Sequence, residues 1–312
     1  MIGASYPPSS HEPGPSGGLR GRTTARLALV TAGLGAATLA AATVLVVWTK
    51  PGQRADERSR WSVAVPPEMR ETIGTWLNTV SVGSIVATLV VVLAIGVIRR
   101  RLPLALAAVV LVAGANVTTQ ILKGVIPRPS YGVGPLGNSL PSGHTTAWTT
   151  LGLALLLVAP RPLRPVLVLV ASAVATFTGA STVLERWHRP SDVIAAFGVC
   201  AIWSGVLLWA LLRRRADVPQ PLLPGRVGMG GRLALHLGAG ILGAILVGVI
   251  LIVGGLVAHE TPTNVIVGAV MLTATGVTGA ILAALVGTLA DEYDRLGPPR
   301  AGRSTSGATD PR

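Results

Sequence analysis

Residues 140–158 read LPSGHTTAWTTLGLALLLV. The second half is an apolar run, and Pro, Ser, Gly and His stand in a row at its lip. An imidazole placed there is costly unless it serves a site. The run is one of eight, at about 27–48, 76–98, 104–122, 145–159, 166–184, 193–212, 233–257 and 265–289. Each is near the roughly 20 residues with which a helix crosses about 30 Å of hydrocarbon, the fourth and fifth being the shortest. The runs are continuous rather than alternating, so they do not suit barrel strands. The sequence therefore predicts an all-α, polytopic membrane helix bundle.

Composition agrees. Of 312 residues, 50% are hydrophobic and 12% charged, against roughly a quarter charged in soluble domains. The net charge of +13 is read as topology signal and anionic-lipid contact, not as a nucleic-acid footprint. The first run is too long for the apolar part of a cleaved signal, so it is expected to stay as a span. Cys200 is alone, which excludes an intrachain disulfide and suits a small core residue. With the N-terminus cytoplasmic, inner segments collect 17 of the 26 basic residues, among them Arg20, Arg99–Arg101, Arg164 and Arg213–Arg215. That excess places both termini inside.

Four basic residues beyond the first loop fall on the outer side: Lys123, Arg128, Arg186 and Arg189. They lie in two short segments. One runs from Lys123 through Arg128-Pro129 to Pro141-Ser142-Gly143-His144, and the other is STVLERWHRPSD, residues 181–192. Both reach the same face. Phosphoryl transfer asks mainly for positioning and for charge on the equatorial oxygens. Lys123 and Arg128 supply that charge, Ser142 a hydroxyl, and Gly143 close backbone approach with a free N–H at a helix start. His188 and Asp192 are four apart, so the carboxylate can fix one ring nitrogen and leave the other to attack. His144 is placed to protonate the leaving oxygen and then to deprotonate water. Asn116, Gln120 and Lys123 share one face of the third run, as expected of residues lining a cavity.

This pattern resembles the type 2 phosphatidic acid phosphatase (PAP2) family, which is related to the vanadium haloperoxidases. The family signature joins a Lys followed by Arg-Pro, then Pro-Ser-Gly-His, then Ser-Arg, five residues, His, three residues and Asp. Residues 141–144 and the pair His188 and Asp192 match it fully. Lys123 and Arg128 are separated by four residues where the family usually has six. The Arg of the third motif falls on Thr182, which offers one hydroxyl instead. Arg186, one turn further on, is favoured over Arg189 as its substitute.

The resemblance implies a membrane-embedded lipid phosphate or pyrophosphate phosphatase. It would act through a phosphohistidine on His188 at the outer membrane face, on substrates such as phosphatidic acid, phosphatidylglycerol phosphate or a polyprenyl pyrophosphate. Neither a cofactor nor a metal is expected, because the cations do that work. The other readings are a lipid phosphotransferase using the same residues and a catalytically silent lipid-phosphate-binding or transport protein. The expected layout is a disordered N-terminus (1–26), a six-span core (27–212), a basic linker (213–232), two additional spans (233–289) and a disordered tail (290–312). Small residues at Gly240, Ala244 and Gly248 and at Gly276, Ala280 and Ala284 suit packing of span seven on span eight, or a homodimer seam. The Arg-rich usage fits a bacterial chain, hence a cytoplasmic (inner) membrane. His11, His236 and His259 are given no role.

Overall fold

A computed structural model describes residues 16–79, 81–216, 227–253, 257–258 and 262–296. It is an all-helical bundle apart from one two-residue ladder, β1 (Val63–Ala64) against β2 (Val257–Ala258). Each of the eight apolar runs is helical over most of its described residues. The first is α1 (Ser16–Ala41), continued by a π-helical turn (Ala42–Val47). The second is split: α3 (Pro67–Asn78) meets α4 (Val82–Ile98) at a 57° bend, where the capping box of Ser81 and Ser84 starts a new helix. The others are α5 (Leu102–Val125), α6 (Gly143–Val158), α7 (Arg164–Leu184), α8 (Pro190–Ala216), α9 (Met229–Val253) and α10 (Pro262–Arg295). Among the described residues six helices are long and apolar enough to cross a membrane, seven if the bent pair is one span.

The remaining run, α6, needs no lipid. At 16 residues it is about 24 Å long, and α4, α5, α7, α8 and α10 surround it. Eleven of its residues are buried. Threonines line its contact with α5: Thr119 and Thr146 share a hydrogen bond of 3.0 Å, and the Asn116 amide donates to Thr150 Oγ1 at 3.3 Å. So the polar face of α5 bonds to α6 for most of its length and opens only near Gln120 and Lys123. On the other side, α8 lies against α1 closely enough that a methyl at Gly198 would stand 2.8 Å from the Gly35 carbonyl oxygen. Glycine is required by this approach.

A second helix, α2 (Lys50–Trp61), occupies the segment between the first two spans. Thr49 caps it, accepting from the Gly52 N–H at 3.1 Å. Its sequence, KPGQRADERSRW, is too polar for lipid, and one face is buried at Gln53, Asp56 and Arg60.

Two boundaries differ from the sequence expectation. Helix begins at Ser16, inside the segment 1–26 expected to be disordered, and α10 persists to Arg295, past 290. The reason is electrostatic. The end of α10 carries Asp291, Glu292 and Asp294, and arginines from four other elements converge on them. Arg20 of α1 pairs with Glu292 at 3.1 Å, and Arg101 before α5 with Asp294 at 2.8 Å. Arg164 of α7 reaches Asp291 at 2.5 Å and Asp294 at 2.6 Å, and Arg232 of α9 pairs with Glu292. The expected linker 213–232 is helical at both ends, through Ala216 and from Met229, while residues 217–226 lie outside the described set, as do His11 and His259. The pair α9–α10 is thus built into the bundle. Its small residues serve a seam within the chain, with Gly240 against the Ala280 backbone and Gly276 against Ala244.

Arg164 is fully buried. Breaking a buried ion pair from one side leaves the other charge uncompensated, at a cost of about 3–5 kcal/mol. Arg164→Met is therefore expected to lower unfolding stability in detergent by that amount, with most of it recovered when Asp291→Asn and Asp294→Asn are added. A loss below about 1 kcal/mol, as at an exposed pair, would remove the inner ion pairs as a determinant of the fold.

Candidate active site

The C-terminal end of α5, the N-terminal end of α6 and the turn between α7 and α8 meet at one end of the bundle. Each is shaped by local rules. Helix α5 stops at Val125, just before Ile126-Pro127, because the residue ahead of a proline is pushed out of helical geometry. Ser142 starts α6 as its N-cap, accepting from the Thr145 N–H at 3.4 Å and the Thr145 hydroxyl at 2.9 Å. Helix α7 ends through Arg186, whose φ of 61° is the left-handed geometry usually left to Gly or Asn. Behind it the Thr182 carbonyl accepts the N–H groups of both Trp187 and His188 at 3.0 Å, which fixes where His188 stands.

Asp192, at the start of α8, is completely buried. Its Oδ2 lies 3.2 Å from His188 Nδ1 and accepts from the Arg189 N–H at 2.9 Å and the Ser139 hydroxyl at 2.6 Å. Its carbonyl accepts the Ser142 N–H at 2.9 Å, joining the two motif-bearing segments through the backbone. A carboxylate on Nδ1 favours the tautomer that keeps its proton on that nitrogen. His144 stands 5.3 Å, ring to ring, from Trp187, with His188 and Lys123 close enough to act on it electrostatically. Gly143 leaves room for them: a Cβ there would sit 3.4 Å from the Gln120 amide and 3.5 Å from Lys123 Nζ. Both histidines, the lysine and the carboxylate therefore share one site.

Arg128 completes the cationic side. Neither of its terminal guanidinium nitrogens has a partner, although both are buried. Burial and the neighbouring Arg189 lower its pKa, while Asp56, Asp192 and Glu57 oppose them. Arg189 is differently placed. It donates to Glu57 at 3.1 Å, Ser139 at 3.0 Å and the Pro135 carbonyl at 3.2 Å, so it is fully occupied in holding the loop.

Three expected ligands have local duties. The Ser142 hydroxyl caps α6. The Thr182 hydroxyl donates to the Gly179 carbonyl at 2.9 Å. Arg186 turns away: its guanidinium carbon lies 3.7 Å from the Trp61 ring centroid, among Arg60 and Arg70 rather than beside the histidines.

Helix α2 supplies residues that motif reading missed. Glu57 bridges Arg189 and Arg60, the latter at 2.6 Å. It also faces Gly134, where a Cβ would come within 2.5 Å of its carboxylate. Gln53 donates to the Pro129 carbonyl at 2.9 Å, and Tyr131 donates to the Trp48 carbonyl at 2.9 Å. Asp56 caps α8 from outside, accepting from the Ser191 N–H at 3.0 Å and hydroxyl at 2.6 Å. The signal was the pairing of two acidic residues in a chain with only 13.

Residues 104–216 match the model of the PAP2 superfamily. This stretch runs from α5 through α8, the helices that bring Lys123, His144, His188 and Asp192 together. The match is to a PAP2 superfamily domain over this stretch alone, is consistent with a relation to the vanadium haloperoxidases, and suggests phosphatase-type phosphoryl transfer in a membrane-embedded chain. No curated protein and no solved structure matches the chain.

Burial, and then repulsion from Asp192, push the Asp56 carboxyl up to about 6 from 3.8. A folded-state value above the unfolded one means that the ionised form costs stability above pH 6, and that the cost is relieved as pH falls from 6 towards 4. A shift of about two units corresponds to something on the order of 3 kcal/mol. Asp56→Asn keeps an acceptor for the Ser191 N–H. The difference in unfolding free energy between wild type and Asp56→Asn should therefore move in the wild type's favour between pH 7.5 and pH 4.5. A difference independent of pH would show that Asp56 is ordinarily ionised.

Proposed function

We propose that this chain is an integral-membrane phosphatase that removes a terminal phosphoryl group from a lipid phosphate or pyrophosphate through a phosphohistidine. The observation that carries the reading is His188 held through Nδ1 by a buried carboxylate, with His144 and Lys123 beside it and an unpartnered Arg128 guanidinium nearby. Free buried donors of that kind suit the oxygens of a phosphoryl group.

The steps follow from the placement. His188 Nε2 attacks phosphorus, and the N–P bond forms as the bond to the leaving oxygen breaks. The leaving oxygen takes a proton from His144. Lys123 and Arg128 balance the charge on the equatorial oxygens, as phosphoryl transfer requires. Asp192 stabilises the imidazole while it carries positive charge. Water, deprotonated by His144, then cleaves the N–P bond and releases phosphate.

The arginine-rich end of the bundle, with Arg20, Arg101, Arg164 and Arg232, is assigned to the cytoplasm by the positive-inside rule. The site then faces the outside of a bacterial inner membrane, and an amphiphile can keep its tails in the bilayer while its headgroup enters.

The test is phosphate release by detergent-purified protein from a panel of lipid phosphates. Wild type should turn over at least one, and vanadate should inhibit. His188→Ala should be inactive, His144→Ala severely impaired, and Arg128→Gln roughly 10²-fold slower, the usual effect of losing one transition-state donor. Activity that survives His188→Ala would end the phosphohistidine reading. Labelled water that fails to enter the released phosphate would assign a transferase instead.

A further inference from the structure

Between His188 and Asp192 stand Arg189, Pro190 and Ser191. The two residues that flank the proline are gripped by neighbouring carboxylates of α2. Asp56 accepts the Ser191 N–H at 3.0 Å and the Ser191 hydroxyl at 2.6 Å. Glu57 accepts Arg189 Nε at 3.1 Å. Helix α2 lies outside residues 104–216, so its hold on this turn is no part of the stretch that matches the PAP2 model.

The Glu57 contact leads on to Asp192. Arg189 is buried, and all three of its guanidinium nitrogens are engaged: Nε by Glu57, Nη1 by Ser139 Oγ at 3.0 Å and Nη2 by the Pro135 carbonyl at 3.2 Å. A guanidinium can only donate. The Ser139 oxygen therefore accepts from Arg189, and its single proton is directed to Asp192 Oδ2, 2.6 Å away. That same carboxylate oxygen accepts the Arg189 N–H at 2.9 Å and lies 3.2 Å from His188 Nδ1. Arg189 thus addresses Asp192 twice, once through its backbone and once through Ser139. Glu57 is itself anchored, its other oxygen accepting from Arg60 at 2.6 Å and from the Trp61 indole at 2.9 Å. Burial opposes its ionisation, but Trp61, Arg60 and Arg189 together hold its carboxyl below the ordinary carboxylate range.

We propose that Glu57 is a positioning residue for phosphoryl transfer: through Arg189 and Ser139 it fixes Asp192, and with it the angle at which His188 meets phosphorus. This rests on the phosphatase reading above. Glu57 has no contact with either histidine, so its effect falls on the capture of the phosphoryl group and not on substrate binding. The leverage is large, since a displacement of about 1 Å at a reacting group costs on the order of 10²-fold in rate.

The experiment is rapid-quench measurement of phosphohistidine formation, with kcat and KM for phosphate release, in detergent, on the lipid phosphate that wild type turns over best. Glu57→Gln keeps the size of the side chain and an acceptor but drops the charge. It should slow phosphohistidine formation and kcat roughly tenfold, as expected for one charge-assisted hydrogen bond. KM should stay within about twofold, because binding is not what is lost. Ser139→Ala should behave alike, and the double variant should be no slower than the slower single one, since both act along one path. Arg58→Gln, exposed on the same helix, should match wild type. Less phosphohistidine formed at the wild-type rate constant would overturn the proposal, as that marks a loss of folded protein. So would losses that multiply in the double variant, or a raised KM at unchanged kcat; the phosphatase reading then stands alone. If wild type turns over no lipid phosphate, or does so without phosphohistidine, that reading falls and the proposal with it.

Discussion

A carboxylate sealed from solvent has to be surrounded by donors, and Asp192 imposes that condition on everything near it. One of its oxygens takes the His188 ring, the Arg189 N–H and the Ser139 hydroxyl, while its own carbonyl takes the Ser142 N–H. These groups come from the turn after α7, the loop before α6 and the first turn of α6 itself. The first three cannot shift without stripping a donor from a buried charge, and Ser142 cannot without freeing a buried backbone carbonyl. His188 and the segment that carries His144 are therefore both positioned by one residue.

Around this centre α2 acts as a clasp. It is polar where its neighbours are apolar, and it lies over the site with Asp56, Glu57 and Arg60 turned inward while Lys50, Arg54 and Arg58 stay exposed. Glu57 orients Arg189, which shares Ser139 with Asp192, so a residue of the first loop reaches the carboxylate through two intermediates. Trp48, Gln53 and Tyr131 fasten the glycine-rich loop to the same region. In that loop Gly132, Gly134 and Gly137 all have positive φ, and at Gly134 a side chain would meet Glu57.

The helices were legible because apolar content and length are local properties: each of the eight runs is helical over most of its described residues. The histidines, Asp192, Lys123 and Arg128 were legible because their spacing is a local property too. What escaped was what depends on partners far along the chain. Asp56 and Glu57 belong to no motif, and nothing nearby in the sequence reveals that Ser191 and Arg189 will come to them. Arg186 was favoured for the phosphate by spacing from Thr182, but that spacing presumes that helix continues. The left-handed turn at Arg186 ends it and redirects the side chain onto Trp61. Ser142 and Thr182 read as free hydroxyls, and helix capping and a carbonyl one turn back claim them. The bounds at 26 and 290 failed similarly, because ion pairs across 272 residues leave no trace in a window of twenty.

The acidic trio of α10 also carries an implication for biogenesis. Arg20, Arg101, Arg164 and Arg232 are all synthesised before the carboxylates that neutralise them, because Asp291, Glu292 and Asp294 belong to the last helix described. Until that segment emerges from the ribosome, the arginine-bearing ends of four earlier elements repel one another. Insertion can proceed helix by helix, but the gathering of those ends waits for the final one, so a nascent chain interrupted ahead of α10 would present its unsatisfied arginines to quality control.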